Sequence, residues 1–238
     1  MLLLILFVVV VVCLILIICP FIFVYFESTK VTDDYGNCLL VTAHPDDECL
    51  FFSPILLSLR SSVSILCLSN GNNHRADEFF RSCQQLNIKQ YKIIDDQIHL
   101  KDSQTAFWSP DAILGHVRQA IDQWQISTLI SFDDYGISGH RNHSSIYYAL
   151  LKLKSSETSR LHFLSLQSIS IFRKYLTLIE FVRLFLTKNN LKRFILPRRF
   201  VLTPHRAMLE HRSQLVWFRY LYVLFSRYIF LNDFKQIY

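Results

Sequence analysis

No charged residue occurs between Leu2 and Phe26, a run of Leu, Ile, Val and Phe interrupted only by two Cys, one Pro and one Tyr. Roughly 20 apolar residues cross a bilayer core, and this run is longer. It also exceeds the roughly 7–15 residues of a signal-peptide core, and no A-x-A-like cleavage site follows it. The reading is an uncleaved transmembrane anchor over residues 1–26. No Lys or Arg precedes the span, and Lys30 beyond it is followed closely by Asp33 and Asp34, so the flanking charge orients it only weakly.

The six cysteines, at 13, 19, 38, 49, 67 and 83, form no C-x-x-C pair and no dense framework. That spacing excludes a disulfide scaffold and points to reduced, buried thiols, hence to a cytosolic domain. Acid is scarce at the other end of the chain. Residues 161–238 carry 13 basic side chains and 3 acidic ones, interleaved with aromatics as in "VWFRYLYVLFSRYIF". Basic and aromatic residues together suit nucleic acid, a membrane interface with anionic lipid, or buried helices whose Arg and Lys stems reach outward. An anchor on the same chain favours the membrane surface over nucleic acid. There is no internal repeat and no low-complexity linker beyond the anchor. Residues 27–37 read as a tether, and 38–238 as one domain, a size that buries a substantial core.

The middle of the chain alternates strand and helix. "CLLVTA" (38–43), "SVSILCLSN" (62–70), "YKIID" (91–95), "STLISFD" (127–133) and "LHFLSLQSI" (161–169) read as strands. Between them, 48–60, 75–88, 111–125 and 142–154 carry helical spacing, with Phe79, Cys83 and Leu86 on one face and Ile113, Val117 and Ile121 on another. This alternation predicts a Rossmann-like α/β fold, a mostly parallel sheet with helices on both faces. Such folds bind ligands beyond the carboxyl ends of their strands.

"VTAHPDDECLFF" (41–52) lies at one such end. Asp46 and Asp47 are adjacent like charges bracketed by apolar residues, and a nearby divalent cation would turn their repulsion into attraction. After the fourth strand, "SFDDYGISGHRNHSS" (131–145) sets His140 and His143 three apart at a helix start. A catalytic zinc takes three His or carboxylate ligands and leaves one position open. His44, Asp47 and His143 supply that set, which frees Asp46 to act as general base on the attacking water. Asn142-His143-Ser144 is the one N-x-S/T sequon, and a glycan there would block the site.

"AHPDDE" (43–48), "SNGN" (69–72), Arg75 with Glu78, and "SFDDYGISGHRNH" (131–143) together resemble the PIG-L/LmbE family of metal-dependent de-N-acetylases. "MLEHRSQLVWFR" (208–219) resembles the C-terminal signature of its eukaryotic branch, whose members deacetylate N-acetylglucosaminyl-phosphatidylinositol. The blocks run in family order over about residues 38–219. The resemblance implies hydrolysis of that N-acetyl group in the second step of glycosylphosphatidylinositol-anchor synthesis, on the cytosolic face of the endoplasmic reticulum. It implies His44, Asp47 and His143 as ligands of a divalent metal, zinc by preference, and Asp46 as base. His140 would stabilise the oxyanion or protonate the leaving amine. Arg75 would contact substrate near its sugar-phosphate, and Glu48 would stand behind the ligands. The implied partners are the glycolipid and the bilayer, with no obligate protein partner and no nucleic acid. One departure stands out: family members often continue with glycine after "NGN", whereas this chain reads "NHRADEFF" and holds only 5 glycines, which implies a shorter substrate loop. Two alternatives stay open, a deacetylase of another N-acetylated sugar and a non-catalytic membrane scaffold of the same fold.

Overall fold

A computed structural model describes residues 1–27, 35–59, 63–71, 73–156, 161–186 and 190–237. The tether of 27–37 lies partly outside these residues, as does Asn72 of the substrate loop.

In chain order the elements are α1 (Leu2–Glu27), β1 (Cys38–Thr42), α2 (Asp47–Phe51), α3 (Ser53–Ser58), β2 (Val63–Cys67), α4 (Asn73–Gln85) and β3 (Gln90–Ile93). There follow α5 (Pro110–Trp124), β4 (Thr128–Phe132), α6 (Gly136–Gly139, a distorted turn), α7 (Arg141–Ser156), β5 (His162–Leu166), α8 (Ile171–Tyr175) and α9 (Thr177–Leu186). The last are β6 (Lys192–Ile195), α10 (Thr203–Glu210), α11 (Trp217–Phe225) and β7 (Leu231–Ile237).

The strands form one sheet in the order β3-β2-β1-β4-β5-β7-β6. The first five are parallel, with Leu40 beside Ile65 on one side and Ile130 on the other. Strands covered on both faces read as near-continuous apolar runs, and Leu39, Leu40, Val41, Ile65, Leu66 and Ile130 are fully buried. Each of the five expected strands is present. The helical periodicity holds as well: Phe79, Cys83, Ile113 and Val117 have no exposed surface.

The structure departs from the sequence reading in two places. The helix expected over 48–60 is two short ones, α2 and α3, broken at Phe52. Pro54 opens α3, where a missing N–H costs nothing but where an uninterrupted helix would lose a hydrogen bond. The basic tail also contributes two strands. β7 runs antiparallel to β5, and β6 antiparallel to β7. A buried ion cluster supports this addition: Arg227, 1% exposed, pairs with Asp233 and lies 3.3 Å from Glu180 Oε2, and Arg193 donates to Asp233 at 2.8 Å.

α1 is long and apolar enough to cross a membrane, and it is almost bare of protein contact over most of its length. Its last turns meet the domain: Val24 is fully buried, Phe21 stacks 5.7 Å from His205 and meets Phe230 edge-on at 5.3 Å.

The strand order reverses between β1 and β4, because β2 and β3 lie to one side and β5 to the other. At such a switch point the following connections diverge and leave a crevice. The segments after β1 and β4 are the two that hold the acidic and histidine motifs.

Candidate active site

Asp47 begins α2, and its carboxylate turns back to the end of β1. Oδ2 accepts from the backbone N–H of Ala43 at 3.0 Å and of His44 at 2.9 Å. Oδ1 lies 3.3 Å from His143 Nε2. Burial alone would raise its pKa, but His143 and His44 beside it and the backbone donors hold it well below the usual carboxylate range.

His143 stands on the first turn of α7. Its Nδ1–H donates to the Gly136 carbonyl at 3.1 Å, which fixes the tautomer and aims Nε2 at Asp47. That Nε2 is buried without a hydrogen-bond partner. The ring stacks on Phe132 at 3.9 Å. Gly136 is required here: it sits at φ 69°, and a Cβ on it would come within 2.7 Å of the His143 Cβ. Ile137 follows at φ 66°, a strained setting for a β-branched residue, and its N–H is tied to Ser168 Oγ at 2.8 Å.

His44 points from the end of β1 toward α7. Its Nε2 lies 3.1 Å from Asn142 Oδ1 and 3.2 Å from Asp102 Oδ1. Asn142 Oδ1 also accepts from the Ser103 N–H at 3.0 Å, so Nε2 is the protonated nitrogen of His44 and the Nδ1 lone pair is left on the Asp47 side, 3.8 Å from Oδ2. Burial pushes the imidazole pKa down and favours the neutral ring, the form in which imidazole can bind a metal. His140, half-buried, stacks 4.6 Å from His143 and lies tilted 4.7 Å from His44. Burial and the two neighbouring rings lower its pKa to about 4. His44, His140 and His143 each bring one ring nitrogen within 4.8 Å of the others.

Asp46 occupies φ 111°, ψ −23°, a conformation rare outside glycine. Its carboxylate meets α11, where Arg219 Nη2 lies 2.9 Å from Oδ2. Burial raises its pKa to about 6, against the pull of Arg219. Glu48, fully buried, braces the turn from behind. It accepts from the Asp46 N–H at 3.0 Å, from Ser82 Oγ, and from His211 Nε2 at 2.7 Å. Burial disfavours a charged His211, yet the Glu48 carboxylate more than offsets this and the imidazole pKa is raised.

Arg75, near the start of α4, is gripped from several sides: Nη1 donates to Asp102 at 2.7 Å, and Nη2 to Gln214 at 2.6 Å and to the Pro45 carbonyl at 3.3 Å. Glu78, one turn on, accepts from the Ser213 N–H and hydroxyl at 2.8 and 2.6 Å. The C-terminal block 208–219 therefore closes over the strand-end loops, with His211, Gln214 and Arg219 each bonded to one of them. These elements enclose a cavity of about 410 Å³ lined by His44, Asp46, Asp47, Arg75, His140 and His143, among others.

The structure brings all the expected site residues to this one cleft. Sequence reading placed Asn142 in the site only as a sequon and assigned no role to it, to Asp102, or to His211, Gln214 and Arg219. Asn142 and the last three were inside quoted motifs. Asp102 follows the third strand, so its signal was an acid beyond a strand's carboxyl end.

The donor set suits a divalent cation. The ring nitrogens of His44, His140 and His143 converge, Asp47 Oδ1 lies beside His143 Nε2, and that buried nitrogen lacks a hydrogen-bond partner. The family profile "GlcNAc-PI de-N-acetylase" of PIG-L matches residues 39–154. The chain is 38% identical over 210 residues to the N-acetylglucosaminyl-phosphatidylinositol de-N-acetylase of Bos taurus, across 83% of this chain and 82% of that one. Its fold is similar to that of the N,N'-diacetylchitobiose deacetylase of Pyrococcus horikoshii, at a TM-score of 0.56, 12% identity and coverage of 90% and 88%. It is also similar to the zinc-inhibited form of a teicoplanin deacetylase, at a TM-score of 0.58, 10% identity and coverage of 85% and 99%. On this likeness in sequence, over most of both chains, the protein belongs to the PIG-L family of de-N-acetylases.

Proposed function

We propose that the chain hydrolyses the acetamide of N-acetylglucosaminyl-phosphatidylinositol, giving acetate and the glucosaminyl lipid, as the second step of glycosylphosphatidylinositol-anchor synthesis. The observation that carries this reading is the buried, unpartnered His143 Nε2 facing Asp47 in a cleft where Asp46 stands alongside. The name of the Bos taurus relative supplies the substrate.

His44, Asp47 and His143 would hold one divalent cation, zinc by the chemistry of two imidazoles and a carboxylate. Bound there, it supplies a Lewis acid for the acetamide carbonyl and makes water acidic enough to attack near neutral pH. Asp46 takes the proton of the attacking water, and its raised pKa of about 6 suits a base working near neutrality. Arg219 and the Glu48–His211 pair hold that carboxylate in place. His140 faces the cavity beside His143, where its ring stabilises the oxyanion or passes a proton to the leaving amine. Arg75 lines the cleft, keeps Asp102 and the Pro45 carbonyl in register, and would contact the substrate near its sugar-phosphate.

The lipid-linked substrate accounts for the anchor and for the tail. Ile171, Phe172, Val182, Leu186, Trp217 and Phe218 are all largely exposed on α8, α9 and α11. Such a set suits the headgroup layer of a bilayer, with Arg and Lys meeting anionic lipid. The domain would lie on the cytosolic face of the endoplasmic reticulum, tethered by residues 1–26.

Expression in cells that lack this deacetylase tests the reading. Restored surface display of glycosylphosphatidylinositol-anchored proteins is the expected result. No restoration by a chain that reaches the membrane, together with turnover of soluble N,N'-diacetylchitobiose, would favour a deacetylase of soluble sugars instead.

A further inference from the structure

Three cationic side chains line the catalytic cavity: Arg75, Arg219 and Lys174. The two arginines each face a carboxylate, Asp102 at 2.7 Å and Asp46 at 2.9 Å. Lys174, on α8, has no carboxylate within ion-pair distance among the described residues. Its ammonium donates to Ser138 Oγ at 2.9 Å and lies 5.9 Å from the centre of the Tyr222 ring. The residue is only 7% exposed. Burial lowers its pKa. A charge kept out of water without a counter-ion is costly, and a bound anion relieves that cost.

A second cavity, of about 670 Å³, opens beside the first and shares Ser138, Lys174 and Tyr175 with it. Its wall carries the Ser168 and Ser170 segments and Ile171. The acid in that wall, Asp133, is saturated: it accepts from the Gly136 N–H at 2.9 Å and from the Ser168 N–H and hydroxyl, both at 2.6 Å. Lys174 thus stands on the partition between the two spaces. Ile171 of that wall and its chain neighbour Phe172 are 65% and 74% exposed, on the face assigned above to the bilayer.

We propose that Lys174 binds the phosphodiester of the substrate, so that the amino sugar occupies the catalytic cavity and the inositol phosphate extends past Ser138 and Tyr175 into the second one. The assignment rests on the proposed function and names its specificity residue. The diacylglycerol would then leave the protein where Ile171 and Phe172 meet the membrane.

Two substrates separate this role from a structural one. N-acetylglucosaminyl-phosphatidylinositol carries the diester, and N-acetylglucosaminyl-inositol keeps both rings and the acetamide without it. Each is assayed with the full-length wild type, Lys174→Met and Lys174→Arg. A hydrogen bond to a charged group is worth about 10–100-fold in affinity. Lys174→Met is expected to lower kcat/KM on the diester substrate by about that factor, chiefly through KM, and to abolish the wild-type preference for it. Lys174→Arg should keep most of that preference. Loss of equal size on both substrates, or a Lys174→Met enzyme with its preference intact, would overturn the proposal. A second measurement needs no variant. Glycerophosphoinositol should inhibit the wild type where inorganic phosphate at the same concentration does not, and equal inhibition by both would overturn the assignment to the diester. A wild type that hydrolyses neither substrate would overturn the proposed function and this assignment with it.

Discussion

Asp46 and Asp47 are neighbours of identical chemistry in opposite surroundings. Two backbone N–H groups and two imidazoles hold Asp47 ionised, whereas burial raises Asp46 toward neutrality. Different losses follow from their replacement. Asp47→Asn should lose bound metal and activity together. Asp46→Asn should keep its metal, measured by elemental analysis, while kcat falls by about 10²–10⁴-fold at little change in KM. An Asp46→Asn enzyme that loses metal as Asp47→Asn does would break this division. His143→Ala should also lower metal occupancy, since a three-ligand site cut to two holds zinc poorly. Full occupancy in that variant would remove His143 from the ligand set. At this scale the sequence was informative because H-x-x-D and H-x-x-H place donors at fixed offsets after a strand. The left-handed turn at Asp46 was not visible in it, because aspartate carries no signal for that backbone, and neither was the bond from His44 to Asn142, because it needs two distant segments to meet.

The parallel half of the sheet was legible in continuous apolar runs such as "SILCL", since strands covered on both faces have no polar alternation to lose. β6 and β7 were hidden by charge. A surplus of arginine reads as surface, yet Arg227 is buried because the few acids of the tail are spent on its arginines. Glu180 meets Arg173 and Arg227, and Asp233 meets Arg193 and Arg227. Removing one partner strands a buried charge. Asp233→Ala should cost about 3–5 kcal/mol, seen as a lower midpoint in thermal or urea unfolding. A change within about 0.5 kcal/mol, the usual range of a surface substitution, would show the cluster to be slack. The sign of the pH effect follows from the shift. Burial would raise the Asp233 pKa, but Arg227 and Arg193 outweigh it and set it below the ordinary value of 3.8. Its contribution to stability is therefore present above pH 3.8 and is lost as pH falls through the lower folded value. In an acid titration Asp233→Ala should lose less stability than the wild type below that point.

The whole molecule combines one apolar helix, an α/β domain and an exposed aromatic face that lies close to the catalytic cavity, whose lining includes Phe218 and Tyr175. Composition alone pointed to a membrane, though not to which helices would meet it. Trp217 is 74% exposed whereas Trp108 is 4% exposed, so in lipid nanodiscs brominated acyl chains should quench the fluorescence of the wild type far more than that of Trp217→Phe. Equal quenching would move the membrane face elsewhere. The sequon should stay unglycosylated for a structural reason: Asn142 is fully buried, with its amide nitrogen on the Ala106 carbonyl at 2.9 Å. A mobility shift on glycosidase treatment that Asn142→Gln abolishes would contradict both the burial and the cytosolic placement. The central claim is that one metal-holding cleft deacetylates a membrane glycolipid. The direct measurement is release of labelled acetate from N-acetylglucosaminyl-phosphatidylinositol in vesicles by the purified full-length chain. Release that stops on chelation and returns with added zinc is the predicted result, and acetate release unaffected by removal of all bound metal, or none under any metal, would contradict it.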